Sequence, residues 1–250
     1  MTMSSSDRIN VIVPEILVST RLVRAAMSMR DGGVSPPPLD MNLSFKVGDE
    51  PSNVRENRSR FLRVVGTTEE HLALPSQVHG DRVLVVSAPG TYEECDGLIT
   101  SSSGLFIGVS IADCVPVLLF DKRNHVVAAV HAGWRGTAAG IVRKAVTMMR
   151  EEYASHPSDI LGFIGPGAST CCYVVGKDVA DRFDDSVKLV DDDKTILDLK
   201  KANALALVSA GMKEDNIEVS THCTISELLF HSYRRDKDRS GRMLAVIGLV

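Results

Sequence analysis

Aromatic residues are scarce in this sequence: Phe, Tyr and Trp make up 5% of 250 residues, and there is one tryptophan. A base-stacking platform for single-stranded nucleic acid needs more rings than that. Basic residues are not in excess either. Lys and Arg number 28 against 32 Asp and Glu, a net charge of −4, which argues against nucleic-acid binding through a basic surface. No apolar run is long enough for a bilayer. Ile9 to Val18 is cut by Pro14 and Glu15 and falls far short of the ~20 residues a span requires. No basic-then-apolar leader follows Met1. The five cysteines, Cys95, Cys114, Cys171, Cys172 and Cys223, are odd in number and irregular in spacing. They form neither a disulfide framework nor a Cys-x-x-Cys metal finger. Reduced thiols and a cytoplasmic location are the expectation. Histidines number seven. A four-copper laccase draws on about ten, because imidazole is its main ligand, so a conventional multicopper oxidase is excluded.

What remains is an ordinary globular composition, 44% hydrophobic and 24% charged. We expect one domain over residues 1–250, with 1–10 a flexible N-terminus, and the composition leaves oligomeric state open. The stretch Gly32 to Pro38 reads as a loop too short to separate domains. Short apolar runs predict strands at Val83–Ser87, Leu105–Ile111, Val117–Phe120, Val126–His131, Leu161–Ile164 and Met243–Leu249. Helical spacing predicts helices over Pro51–Val65, from near Ala138 to Met149, and over Asp198–Ala210, the last closed by Gly211. Asp121 to His125 joins two of the strands as a hairpin. Hairpins mixed with helices indicate an α+β fold rather than a doubly wound parallel sheet.

Three short segments carry chemistry. His79 stands in Ser76-Gln77-Val78-His79-Gly80-Asp81. Alone, such a histidine is usually structural. Asp113 and Cys114 follow an apolar strand, where a buried carboxylate needs a partner and a free thiol is often inert. His131 opens His131-Ala132-Gly133-Trp134-Arg135-Gly136-Thr137, a strand–turn–helix junction suited to an anion. Together His79, Cys114 and His131 make a borderline-soft set for which zinc is the first candidate, with copper competing for the same donors. Three protein ligands leave the open position of a catalytic zinc site. The same residues also suit a metal-free cysteine hydrolase or deamidase, with Cys114 as nucleophile and His131 as base. A third reading is a non-catalytic domain that captures a nucleotide-like anion at Gly133–Gly136. Cys171 and Cys172 read as packing residues. Arg234-Arg235 reads equally as a phosphate site or a salt-bridged turn, and Arg58 as a surface arginine on the helix face away from Phe61 and Leu62.

Several motifs together resemble the YfiH family, also labelled laccase domain or polyphenol oxidase. They are Gln77-Val78-His79-Gly80, Asp96-Gly97-Leu98-Ile99-Thr100, Ala112-Asp113-Cys114-Val115-Pro116-Val117, His131 to Gly136, Ile164-Gly165-Pro166, Cys172-Tyr173, Ala202-Asn203, Cys223-Thr224 and Tyr233-Arg234-Arg235. The resemblance runs from about Arg30 to the C-terminus. It implies a single compact mixed α/β domain with a β-sandwich-like core and flanking helices, and zinc on His79, Cys114 and His131. It implies purine nucleoside phosphorolysis of adenosine, inosine, guanosine and methylthioadenosine, together with adenosine deamination. Arg58 becomes a candidate for phosphate or substrate, joined by Gln77 and Arg135, and Asp113 a candidate proton shuttle. The chain departs from the family at Met29, where a Thr is usual, and at Val174, where a Glu is usual.

Overall fold

The computed structural model describes residues 9–250, so most of the segment expected to be flexible, 1–10, lies outside the described residues. Two six-stranded sheets face each other. The first runs β1 (Val11–Ile12), β2 (Val23–Ser28), β15 (Met243–Leu249), β7 (Phe106–Ile111), β3 (Leu72–Ser76) and β5 (Gly90–Glu93). The second runs β14 (Ile217–Val219), β10 (Ile160–Ile164), β8 (Val115–Asp121), β9 (Val126–Ala132), β6 (Gly97–Thr100) and β4 (Val83–Val85). A small third sheet holds β11 (Val174–Val175), β13 (Lys194–Leu197) and β12 (Lys188–Asp191). The helices are α1 (Glu15–Val18), α2 (Pro51–Val65), α3 (Trp134–Ala138), α4 (Ile141–Tyr153), α5 (Lys177–Ala180), α6 (Leu199–Ser209) and α7 (Tyr233–Asp236).

The order of layers follows from which side chains are apolar. Met27, Ile107, Val109 and Ala245 of the first sheet meet Leu118, Phe120, Val127 and Phe163 of the second in one buried cluster. The opposite face of the second sheet, with Val117, Leu119 and Val130, packs on Ile141, Val142, Ala145 and Met149 of α4 and on Leu199 and Leu207 of α6. The opposite face of the first, with Ala26, Leu244 and Val246, packs on Phe61, Leu62 and Val65 of α2. The result is a β-sandwich flanked by helices, a mixed α/β domain. Because β8 and β9 are covered on both faces, all their residues but Asp121 and His131 are apolar instead of alternating. Each fully buried aliphatic side chain there contributes about 1.5–3 kcal/mol relative to exposure.

Element boundaries follow local chemistry. Helix α2 starts with Pro51 in its first turn and stops at Gly66, whose φ of 85° is left-handed. Asp198 caps α6 by accepting a hydrogen bond from the Lys201 N–H. The helix expected from near Ala138 to Met149 is α4, which starts at Ile141. Gly140, at φ 79°, breaks the chain between α3 and α4, and the glycine-containing turn after His131 is itself the five-residue α3. Strand β8 begins before Pro116, two residues earlier than expected, because Pro116 sits at the strand's start.

Candidate metal centre

The pairing of β8 with β9 builds half of the site. Val115 lies opposite Ala132 and Pro116 opposite His131, so the register carried one step further sets Cys114 against Gly133. The other half comes from the loop after β3. There the backbone N–H groups of Val78, His79 and Gly80 donate to the carboxylate of Asp96 at 3.2, 3.0 and 2.8 Å. That carboxylate also pairs with Nδ1 of His131 at 2.8 Å. The Asp96 carbonyl accepts the His131 N–H at 2.7 Å. One fully buried acid therefore fixes both histidines. It leaves Nε2 as the His131 nitrogen free for a ligand, the outer-shell arrangement typical of metal-binding imidazoles.

The donor atoms of His79, Cys114 and His131 lie within 4.8 Å of one another. The two imidazoles meet edge to face with centroids 4.9 Å apart. A Cβ added at Gly133 would stand 3.0 Å from Cys114 Sγ, 3.5 Å from His79 Cδ2 and 3.8 Å from His131 Cε1. Gly133 thus leaves open a space that all three side chains border. One thiol and two imidazoles around such a cradle fit a zinc ion with one position left for water or substrate. His79 is exposed and His131 buried, so the cluster opens to solvent on one side.

Charges are arranged to match. Burial disfavours the Cys114 thiolate, yet His131, and then His79, outweigh it and bring the thiol down to about 6. Burial favours a neutral His131, but Cys114 and Asp96 lift it to about 9. Burial also opposes the charge on Asp96, and His131 with the Gly80 and Val78 N–H groups holds it below the usual carboxylate range. His79 and Asp113 both have left-handed backbones, at φ 59° and 84°. Non-glycine residues reach that region rarely and under strain, most often at functional sites.

The other candidate residues are placed differently. The Asp113 carboxylate accepts the Thr224 hydroxyl at 2.8 Å and the Arg234 N–H at 2.6 Å, so it ties two loops to the site. The Gln77 carboxamide is spent on the backbone of Ser110, donating at 2.9 Å and accepting at 2.7 Å. It anchors the His79 loop to β7. Arg135 is exposed and stacks on Trp134 with 4.3 Å from Cζ to the ring centroid. Arg58 is not the surface residue expected: its side chain is 13% exposed and pairs with Glu69 at 2.6 Å. Its Nε donates to the Leu43 carbonyl at 2.8 Å. It lines a cavity of about 400 Å³ with Glu69, Leu72 and Thr91, to which none of the three metal donors contributes.

Sequence reasoning missed Asp96 as a partner of His131, and also Tyr173 and Arg242. Burial pushes Tyr173 up to about 12, helped by Cys114; Arg234 and Arg135 oppose it. Arg242 stacks on Tyr233 at 5.5 Å, and burial lowers its guanidinium against the opposing pull of Asp113, Tyr233 and Cys114. Asp96 stands directly before the buried β6, but nothing in that position names His131 as its partner.

The sequence model of the multi-copper polyphenol oxidoreductase laccase family matches residues 24–250. A purine nucleoside phosphorylase of Deinococcus radiodurans is 38% identical over 242 residues, covering 95% of this chain and 93% of that protein. Among solved structures, a hypothetical protein YfiH of Bacillus licheniformis superposes with a TM-score of 0.91 at 33% identity, covering 98% of both chains. YlmD of Geobacillus stearothermophilus gives 0.87 at 34% identity, covering 91% and 92%. The chain belongs to this laccase-domain family of YfiH and YlmD proteins. Among the described residues no helix is long and apolar enough to cross a membrane.

Proposed function

We propose that this protein is a zinc-dependent purine nucleoside phosphorylase that also deaminates adenosine. The observation that carries the reading is a Cys–His–His donor set with arginines gathered around it. The Arg234 N–H is bonded to Asp113, next to Cys114, Arg242 stacks on Tyr233, next to Arg234, and Arg135 stands two residues after Gly133. A site with these features brings a metal and a phosphate-binding rim to one place. The names carried by relatives such as the Deinococcus protein support the same reading.

His79, Cys114 and His131 hold the metal, which supplies a Lewis acid and an activated water when bound. The remaining work is positioning. Guanidiniums present paired N–H donors that match phosphate oxygens. Arg242, Arg234 and Arg135 set the phosphate for attack on C1′ of the nucleoside as the bond to the purine breaks. Tyr173 and Tyr233, on which Arg234 and Arg242 stack, hold those arginines in place. Asp113 positions Arg234 through its backbone N–H, and Gln77 positions the His79 loop. Arg58 lines a cavity to which none of His79, Cys114 and His131 contributes, so we assign it a structural part. Adenosine, inosine, guanosine and methylthioadenosine are the substrates of this reading, and the cytoplasm its location, consistent with five unpaired thiols.

Metal analysis paired with an inosine-plus-phosphate assay tests it. We expect about one zinc per chain and phosphate-dependent release of hypoxanthine. Cys114→Ala loses both, and Arg242→Ala raises KM for phosphate well above what Arg58→Ala does. Phosphorolysis at the full rate after chelation and dialysis overturns the proposal. One observation favours a second reading. Cys114 and His131, with donor atoms within 4.8 Å and Asp96 on the far ring nitrogen, are also the arrangement of a thiol nucleophile, its base and an orienting acid. That reading gives a metal-free protein inactivated by alkylation and indifferent to chelator.

A further inference from the structure

Behind the first site lies a second group of thiols that the proposed reaction does not use. After β10 the chain turns through Gly165-Pro166-Gly167, and Gly167 forms a bridge with Cys223. The Thr224 N–H donates to the Gly167 carbonyl at 3.2 Å, and the N–H groups of Cys172 and Tyr173 donate to Ser169 at 3.1 and 2.9 Å. The Cys223 N–H donates to Glu227 at 2.7 Å. These bonds fix two loops far apart in sequence and bring three sulfurs together. Cys171 and Cys172 are 2.9 Å apart at Sγ, Cys172 and Cys223 3.5 Å, and all three lie within 4.8 Å of one another.

We propose that Cys171, Cys172 and Cys223 form a second metal site, a three-thiolate centre for copper(I). The donors are sulfur only. The nearest imidazole, His222, is paired with Glu227 at 2.7 Å, and the other oxygen of Glu227 holds the Cys223 N–H. Thiolates select soft ions. Structural zinc asks for four ligands in a tetrahedron, whereas copper(I) is content with three in a plane. Exposure is graded from buried Cys223 through half-buried Cys172 to exposed Cys171, which gives the ion an entrance. Tetrahedral or trigonal sulfurs about 2.3 Å from a metal stand roughly 3.8 Å apart. The Cys172–Cys223 spacing is close to that, and exposed Cys171 is the ligand free to swing outward.

The buried Lys200 ammonium donates to the carbonyls of Ser220 and His222 at 2.7 and 3.0 Å, and Cys223 and Cys171 are among its charged neighbours. It offsets part of the negative charge of three thiolates. Binding exchanges thiol protons for the cation, and no electron moves. The donors are distinct from those of the first site, though Thr224, next to Cys223, is bonded to Asp113, next to Cys114.

An anaerobic titration of the reduced full chain with copper(I), in competition with bicinchoninate, tests this. The unmodified protein is expected to take up two equivalents, one at each cluster. Cys171→Ser and Cys114→Ala should each lose one. Because Cys171 is exposed, its serine variant keeps the fold. X-ray absorption on the copper-loaded Cys114→Ala protein should show sulfur as the only near neighbour of the metal. Equal uptake by Cys171→Ser and the unmodified protein overturns the proposal. So does a Cys172–Cys223 disulfide that persists under the reducing conditions of the titration.

Discussion

Gly133 matters for the atoms it does not carry. Its φ of −71° is open to any residue, so conformational freedom is not why a glycine stands there. The reason is space: its missing Cβ is where Cys114, His79 and His131 converge. Gly133→Ala puts a methyl 3.0 Å from the Cys114 sulfur, tight enough to push the thiol aside. The fold should survive with little change in Tm, while zinc affinity falls at least tenfold, measured by competition with a chromogenic chelator. Unchanged affinity would show that the ion sits elsewhere. Asp96 illustrates the limit of reading single residues. The His79, Cys114 and His131 set could be proposed from donor chemistry. The acid that fixes both histidines could not, because its partners come from two separate segments, the loop after β3 and β9, joined to it only by the folded sheet.

At the scale of elements, legibility followed burial pattern. Strands β7, β8, β9, β10 and β15 are buried along nearly their whole length and stand out as predominantly apolar runs. Strands β5, β11 and β12 are short and have no buried residue, and their pairing comes from neighbours rather than their own composition. Helix α2 was delimited by Pro51 and Gly66, but the role of Asn57 in it was not visible. Asn57 is fully buried. Its Oδ1 accepts the Val34 N–H at 2.8 Å, and its Nδ2 reaches Ser35 Oγ, Asp40 O and Asn42 O at 2.9, 3.0 and 3.0 Å. The helix thereby holds the Gly32–Pro38 loop. Asn57→Ala strips the Val34 N–H and the Asn42 carbonyl of this partner, while Ser35 Oγ keeps Asp49 and the Asp40 carbonyl keeps the Ser35 N–H, a loss of roughly 2–4 kcal/mol at 1–3 kcal/mol for each unsatisfied buried group, partly relieved by water. Urea unfolding measures it, and a loss below 1 kcal/mol would mean the loop does not depend on the helix.

The whole molecule is closed by its C-terminal segment, since β15 lies between β2 and β7 and completes the first sheet. The turn leading to that strand presses on His231. A Cβ at Gly241 would come within 2.6 Å of its ring, and neither ring nitrogen has a protein partner. Burial drives His231 down to about 3; the charges of Arg30, Arg242 and Arg235 act in the same direction, and Asp236 opposes them. The unfolded chain, by contrast, protonates this ring near 6.5. Between those values the unfolded state binds a proton that the folded state does not, so stability rises with pH across the window and is lost on acidification. The single group accounts for about 2 kcal/mol between pH 7 and pH 5. His231→Leu removes the titration and keeps an apolar side chain in the space. Its stability should fall less than that of the unmodified protein over the same interval, by about that amount. Urea melts of both proteins at pH 7 and pH 5 give the comparison directly, since every other titrating group, the metal ligands included, is common to the two. Parallel losses would place the acid sensitivity of the fold elsewhere than at this histidine.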